Sequence, residues 1–166
     1  MYPKRFWFIL EQDVDRPIGG VKQFYVLASI LSDLGLDVTI VQGTNSFRPS
    51  WFSFPPDLKV AGKIDFNLSS LQSENDILII PETFLPYLRF TRDLSVIIFN
   101  QNMNFLFGEK FELKPKFVFN SYASDNILAV LTVSSSDYAY AVNHLPIEPS
   151  KVFRVFNAIE SSLFSF

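Results

Sequence analysis

The sequence predicts an α/β protein with a doubly wound, mainly parallel sheet flanked by helices. Two observations indicate this class. Several short runs are continuously apolar rather than alternating, which is typical of strands buried on both faces of a sheet. Segments with helical spacing lie between several of these runs, as the crossovers between parallel strands require. We therefore expect one sheet with helices packed on both of its faces.

The composition supports a substantial core and excludes several classes of function. Of the 166 residues, 48% are hydrophobic and 19 are phenylalanine, which is enough for one domain with a real core. The net charge is -3 and no run of lysine or arginine occurs, so we expect no nucleic-acid partner and at most peripheral membrane contact. Cysteine is absent and the single histidine, His144, reads as a surface or helix-end residue, so no metal site is expected.

The opening of the chain reads as a strand, a loop, a helix and a second strand. Residues 5–10 are apolar, but this run is too short to span a membrane and lacks a signal cleavage site, so we expect a cytoplasmic location. Apolar residues at steps of three and four mark the buried side of a helix from Val21 to about Leu34. Gly35 suits the left-handed position after a helix, and residues 38–41 form a short β-branched strand.

Proline and glycine predict a loop from Gln42 to about Gly62. Its aromatic side chains either pin the loop to the body or form an apolar rim for a substrate: Phe47, Trp51, Phe52 and Phe54. Ser134 is the expected N-cap of the last helix. The other predicted elements are strands at 64–66, 76–80, 95–99, 130–133 and 151–156, and helical segments at 83–90, 124–129 and 138–143.

Ligands of doubly wound sheets bind beyond the carboxyl ends of the strands, where the strand order reverses. The groups that follow predicted strands are therefore candidates for a binding site: Gly19, Gly20, Gln42, Glu82, Asn100, Gln101, Asn102, Ser134, Ser135 and Asn157.

The paired glycines, Gly19 and Gly20, have two interpretations. Together with the N–H groups of the first helical turn they could meet a phosphate, or they could serve close packing alone. The chain has no P-loop pattern. The dinucleotide pattern also fails, because the glycines are adjacent and Val41-Gln42 stands where an acidic residue is needed. A nicotinamide cofactor is therefore not expected.

The other candidates suit a hydroxylated ligand. Glu82 could act as a base or accept a substrate hydroxyl, or it could be a solvated carboxylate at the beginning of a helix. Gln101 and Asn102 offer amide donors and acceptors suited to sugar hydroxyls, or they cap the end of a strand. Ser134 and Ser135 could bond a ligand, although helix capping accounts for most of that serine run.

Two motifs, in the right order, resemble the retaining glycosyltransferases of family four. The opening reads GGV at residues 19–21, LASIL at 27–31 and LGLDVTI at 34–40, which is similar to the family's G-G-hydrophobe, L-A-x-x-L and G-[HD]-x-V-x-[VI]. The far end reads VSS at 133–135 and KVFRVFNAIE at 151–160, which is similar to the family's V-S-x-x-x and K-[VI]-x-V-[IV]-x-N-G-[IV]-[DE]. The resemblance therefore spans nearly the whole chain.

This resemblance implies a GT-B architecture, in which two Rossmann-like domains face each other across a cleft. Residues 1–160 would be the N-terminal, acceptor-side domain, and residues 161–166 would begin the connection to a C-terminal donor-binding domain. By the same resemblance the donor phosphates would meet Gly19, Gly20 and Val21. The interdomain connection would begin with Asn157, Ala158, Ile159 and Glu160.

The implied reaction transfers a sugar from a nucleotide-diphosphate sugar to a hydroxyl acceptor, either a glycan or a lipid-linked molecule, with no tightly bound cofactor. No catalytic residue is assigned. Because the family's E-x7-E donor signature belongs to the second domain, we expect the 166 residues to be inactive alone. The acceptor-side candidates are Glu82, Gln101, Asn102, Ser134 and Ser135.

The chain departs from the family pattern in two places. Ala158 stands where the family has glycine, which alters the expected turn. Glu82 and Gln101 lie in regions where many members carry a histidine, so either their role differs from that of the histidine or the acceptor differs. A non-catalytic, flavodoxin-like module for binding or assembly is therefore the alternative. A second α/β domain encoded after Phe166 would favour the enzyme, and a stop codon there would favour the module.

Overall fold

The computed structural model describes residues 4–10, 15–43, 47–63, 66–91, 93–102 and 119–157. The longer helices are α1 (Gly19–Asp33) and α2 (Ser135–His144). Short 3-10 segments lie at Leu68–Ser70, Glu82–Phe90 and Pro149–Lys151. The strands are β1 (Arg5–Ile9), β2 (Asp37–Gln42), β3 (Lys59–Gly62), β4 (Asp76–Pro81), β5 (Ser95–Asn100), β6 (Ile127–Thr132) and β7 (Val152–Arg154).

The strands form one seven-stranded, all-parallel sheet in the order β3-β2-β1-β4-β5-β6-β7. β1 pairs with both β2 and β4, so that Phe8 lies opposite Ile40 on one side and Ile79 on the other. The chain steps outward from β1 to β3, returns to β4 and then steps outward again to β7. This arrangement confirms the predicted α/β fold with a Rossmann-like sheet.

Each face of the sheet has its own apolar core, because successive side chains of a strand point to opposite faces. On one face α1 packs Phe24 against β1, where it meets Phe8 edge-to-face with ring centroids 5.9 Å apart. On the other face Leu85, from the 3-10 segment after β4, and Leu145, just after α2, join a second core that includes Ile9. The sheet is therefore buried on both sides, as the continuous apolar runs predict.

The turn between α1 and β2 depends on a left-handed residue. Gly35 has a φ of 81°, which an L side chain rarely adopts. Its N–H donates to the carbonyl oxygen of Ser32 over 2.9 Å, and the N–H of Leu36 donates to that of Leu31 over 3.1 Å. The predicted left-handed glycine after the helix is thus confirmed.

A buried carboxylate joins β1 to β4 at their amino ends. Asp76 accepts hydrogen bonds from Arg5 Nη2 at 2.7 Å, Trp7 Nε1 at 2.8 Å and the main-chain N–H of Gln72 at 2.6 Å. Burial acts to raise the pKa of Asp76, but these hydrogen bonds and the charge of Arg5 outweigh it and lower the pKa below 3.8. The ionised carboxylate therefore stabilises the pairing of the two central strands.

The edge strand β3 was not expected from the sequence. It occupies Lys59–Gly62, inside the segment that the prolines predict to be a loop, and pairs with β2 so that Ala61 lies opposite Val41. The strand predicted at 64–66 is not supported, since Phe66 is outside any strand and residues 64 and 65 lie outside the described ranges. The backbone of β2, not the local sequence, determines that Lys59–Gly62 is extended.

The carboxyl-terminal elements differ from the prediction at their boundaries. β6 begins at Ile127, so the helical segment predicted for 124–129 is wrong over its second half. The Ser134 cap is confirmed, but α2 begins directly after it, at Ser135 rather than at 138. The sequence does not reveal this first turn, because its polar residues show no apolar periodicity. β7 ends at Arg154, earlier than predicted.

Candidate functional site

The strand order reverses between β1 and β4, and polar groups gather at the carboxyl ends of the strands around this point. α1 begins at Gly19, in the segment that follows β1. Glu82 directly follows β4, and Gln101 directly follows β5. The structure therefore brings together three of the groups that the sequence predicts to follow strands.

Gly20 and Gln101 are in direct contact. The Nε2 atom of Gln101 donates to the carbonyl oxygen of Gly20 over 2.9 Å. A Cβ atom at Gly20 would lie 2.1 Å from Gln101 Oε1, well inside any permitted contact. The absence of a side chain at Gly20 therefore serves the approach of Gln101, which is the packing interpretation of this glycine.

Gly19 differs from Gly20, because a Cβ atom there would have no neighbour within 4 Å. The N-cap of α1 is Ile18, which makes no side-chain capping hydrogen bond, and the first turn contains no acidic residue. N–H groups in the first turn of a helix have no partner within the helix, and the dipole makes this end positive. Open space at Gly19 and the positive helix end suit an anion, and contact of Gly19, Gly20 and Val21 with a phosphate stays a prediction.

Glu82 links the ends of β4 and β5. Its side chain is 2% exposed, and its two carboxyl oxygens each accept a main-chain hydrogen bond, Oε2 from Gln101 and Oε1 from Asn102, both at 3.1 Å. This geometry rejects the interpretation of Glu82 as a solvated carboxylate. The two bonds fix the turn after β5 and thereby hold Gln101 over Gly20.

The charge of Glu82 depends on pH near neutrality. Burial raises its pKa from 4.5 to about 7, and the negative charge of Asp137 acts in the same direction. The hydrogen bonds from Gln101 and Asn102 lower the pKa but do not offset the burial. A carboxyl group that titrates near pH 7 can accept or donate a proton at physiological pH.

Sequence reasoning missed Tyr122, which belongs to the same cluster. Its hydroxyl donates to Asn100 Oδ1 over 3.1 Å, and both side chains are buried. Burial, and then the charge of Glu82, raise the pKa of Tyr122 well above its usual range. No sequence pattern indicates this residue, because it is 22 residues from Asn100 in the chain and only the fold brings the two side chains together.

The serines at the end of β6 serve the fold in the first place. Ser134 Oγ accepts the N–H of Asp137 at 3.0 Å and bonds its carboxylate at 2.8 Å, which caps α2. Ser135 Oγ accepts a hydrogen bond from Arg154 of β7. Asp137 brings a negative charge near Glu82, so this helix start borders the site. A ligand role for Ser134 and Ser135 stays a prediction.

Gln42 also lies at the carboxyl end of a strand, but its side-chain amide is engaged in contacts within the fold. It is buried, its Oε1 atom accepts the hydroxyl of Tyr25 at 2.9 Å, and its Nε2 atom donates to the carbonyl of Phe47. The rings of Trp51, Phe52 and Phe54 surround Tyr25 with centroids 5.7, 5.2 and 4.8 Å away. These contacts support the interpretation that the aromatic side chains pin the loop to the body.

The remaining candidates lie apart from this cluster or outside the described ranges. His144 is exposed at the end of α2, where its ring lies 4.9 Å from that of Tyr140. Asn157 is exposed, and residues 158–160 of the expected interdomain connection lie outside the described residues. Within the described ranges, no group of histidine, aspartate and glutamate side chains could hold a metal ion.

Fold and site together define an α/β protein with a Rossmann-like sheet and a cluster of polar groups at the reversal of its strand order. Comparison with protein families and with curated proteins found no match. In the part of the chain that the structure describes, no helix has the length and apolar character needed to cross a membrane.

Proposed function

We propose that this chain is the acceptor-side domain of a nucleotide-sugar-dependent, retaining glycosyltransferase. The observation that carries the proposal is the beginning of α1 at the switch point. Ile18 leaves this helix end without a side-chain cap, and Gly19 leaves open space in front of it. The two ordered motifs, at residues 19–40 and 133–160, support the same class.

In this proposal the donor diphosphate lies against Gly19, Gly20 and Val21, where main-chain N–H groups and the helix dipole stabilise its negative charge. The transfer of a sugar builds negative charge on the departing nucleoside diphosphate. Main-chain N–H groups that already point at this charge therefore lower the barrier. A second Rossmann-like domain binds the nucleotide in a GT-B enzyme, and these residues form one wall of the cleft. No bound cofactor is part of this proposal.

The acceptor hydroxyl lies near Gln101 and Asn102 in this proposal. Glu82 holds the main chain of both residues, so its contribution is to position them rather than to touch the sugar. Positioning of this kind lowers the barrier by removing the freedom of the reacting groups before the reaction. A glycan or a lipid-linked alcohol is the expected class of acceptor.

Inorganic pyrophosphate tests the donor side, because every nucleotide-diphosphate donor shares this group. Titration at constant ionic strength should shift the amide NMR signals of Gly19, Gly20 and Val21. Gly19→Leu should abolish these shifts and fold normally, since its side chain meets open space. Asp33→Leu, at the other end of α1, is the matched control and should bind like the wild type. An absence of shifts in the wild type would overturn the proposal.

A non-catalytic, flavodoxin-like module for binding or assembly is the second candidate. One observation favours it, which is that side chains of the protein itself fill the space between the beginning of α1 and the ends of β4 and β5. Gln101 occupies the space over Gly20, and both oxygens of Glu82 hold main-chain N–H groups. Failure to bind pyrophosphate, together with a stop codon after Phe166, would favour this module. A following domain with an E-x7-E signature would favour the enzyme.

A further inference from the structure

An apolar cavity of about 570 Å³ lies on the face of the sheet opposite α1. Its floor is formed by Ile9, Val41 and Ile80, from three adjacent strands, and Leu68 and Phe84 contribute to its walls. The floor residues belong to the apolar core that excludes α1. The volume lies within the range of about 300–1,000 Å³ that is typical of small-molecule pockets.

Two of the polar side chains in the lining of the cavity, Asn67 and Thr91, form hydrogen bonds within the chain. Asn67 Oδ1 accepts the N–H of Ser69 at 3.0 Å, and Thr91 Oγ1 donates to the carbonyl of Leu88 at 2.9 Å. These groups are therefore engaged in holding the walls together. Water gains little in such a space, whereas an apolar group gains dispersion contacts and leaves water. The chemistry of the lining thus selects an apolar ligand.

The cavity lies near the same edge of the sheet as Glu82 and Gln101. Ile9 is the last residue of β1, and Ile80 is the last but one of β4. The 3-10 segment Glu82–Phe90 begins with the carboxyl group that holds Gln101 and continues with Phe84 in the cavity wall. This segment therefore connects the wall of the cavity to the residues at the switch point.

The lining of the cavity includes groups that suit the boundary between a lipid chain and its head group. Tyr87 and Phe90 line the cavity and are 52% and 60% exposed. Lys63 adds a positive charge there, with its Nζ atom 5.8 Å from the ring centroid of Phe84. Aromatic rings and a long cationic side chain combine apolar surface with a polar end, as such a boundary requires.

We propose that this cavity binds the apolar chain, acyl or isoprenoid, of a lipid-linked hydroxyl acceptor. The role of that ligand as acceptor rests on the glycosyltransferase function proposed above. The binding of an apolar chain does not rest on that function, because the lining and the volume of the cavity support it independently.

Binding of cis-parinaric acid, a fluorescent long-chain fatty acid, to the full chain tests the proposal. Fluorescence excited beyond the tryptophan absorption should rise to saturation. Leu68→Trp fills the cavity and should weaken binding by about tenfold or more. Leu71→Trp is the matched control, because Leu71 is also half-buried against the same core but is absent from the cavity lining. It should bind like the wild type.

Methyl NMR of the wild type supplies a second measurement that needs no variant. Dodecanol should shift the methyl signals of Ile9 and Ile80 and leave that of Ile40, in the core under α1, unchanged. No saturable binding, equal binding by Leu68→Trp, or shifts at Ile40 instead would overturn the proposal. Binding of the fatty acid without binding of pyrophosphate would retain the apolar site and remove its role as an acceptor site.

Discussion

Gln101 lies so close to Gly20 that its side chain occupies the space which a β-carbon at Gly20 would need. The side-chain amide donates to the carbonyl oxygen of Gly20 over 2.9 Å, and its Oε1 atom lies 2.1 Å from the position of the missing Cβ. Glu82 holds the main chain of Gln101 from the other side. The beginning of α1 and the ends of β4 and β5 are therefore connected through one amide side chain.

Gly20→Ala should have a different effect on stability in each of two backgrounds. In the wild type, alanine gains up to about 1 kcal/mol of helix propensity but displaces Gln101, whose hydrogen bond contributes about 1 kcal/mol. We expect little net change. In a Gln101→Ala background nothing is displaced, so the same substitution should stabilise the chain by up to about 1 kcal/mol. Urea unfolding of the four proteins gives the coupling energy, and equal effects in both backgrounds would contradict the contact.

Glu82→Gln should change how stability depends on pH. The folded chain keeps a proton on Glu82 up to about pH 7, whereas the unfolded chain releases it near 4.5. The folded state therefore binds more protons in this window, and its stability falls as the pH rises through it. The span from 4.5 to about 7 corresponds to about 3 kcal/mol.

Urea unfolding of the wild type and of Glu82→Gln across this window measures that loss. The wild type should lose about 3 kcal/mol relative to the variant between the two ends of the window. Glu148→Gln, at an exposed position, is the control and should keep the slope of the wild type. Parallel curves for the wild type and Glu82→Gln would show that Glu82 does not titrate in this window.

Asp76→Asn should be strongly destabilising. The substitution replaces a carboxylate that accepts three hydrogen bonds, one of them from Arg5, at a position with no solvent exposure. Because the Arg5 side chain is 40% exposed, we expect the loss to be that of hydrogen bonds to a charged group, about 1.5–3 kcal/mol, rather than that of a fully buried ion pair. Since the pKa of Asp76 is lowered, its contribution is present above pH 3.8 and is lost as the pH falls through the folded pKa.

Urea unfolding measures the effect of Asp76→Asn, and the fluorescence of Trp7 reports the change locally because its Nε1 atom donates to this carboxylate. Asp57→Asn, at an exposed position, provides the comparison and should change stability by less than about 0.5 kcal/mol. If the two variants unfold at the same urea concentration, Asp76 does not stabilise the central strands.

Gly35 should tolerate asparagine better than alanine. Its φ of 81° lies in the left-handed region, where a β-carbon costs about 1–2 kcal/mol and asparagine is the best tolerated after glycine. Thermal unfolding should therefore rank the proteins wild type, Gly35→Asn and Gly35→Ala in order of falling stability. No side-chain clash interferes, because a Cβ atom at Gly35 would have no neighbour within 4 Å. Alanine at least as stable as asparagine would contradict this backbone account.

The sequence predicted the central strands of the sheet but not its edge. β1, β4 and β5 are long apolar runs whose burial can be read locally. β3 is four residues of mixed character among prolines, and its conformation comes from pairing with β2. The first half of β6 contains Leu128 and Ala129, which are good helix formers, so the local sequence does not indicate a strand there.

The site was predictable by position but not by contact. Glu82 and Gln101 follow strands, so their place at the carboxyl edge could be expected. Their hydrogen bond depends on the register of β4 with β5, in which Pro81 lies opposite Phe99, and no local pattern encodes that register. Tyr122 joins the cluster through a hydrogen bond to Asn100, 22 residues earlier in the chain, which no local pattern encodes either.

β4 carries a buried carboxyl group at each end, and the two respond to protons in opposite ways. Asp76, at its first residue, is held ionised by Arg5 and Trp7, while Glu82, just after its last residue, favours the neutral form. Strong acid protonates Asp76, and mildly alkaline solution ionises Glu82. The contacts at both ends of β4 are therefore most stable in weakly acidic solution, where Asp76 is ionised and Glu82 is protonated.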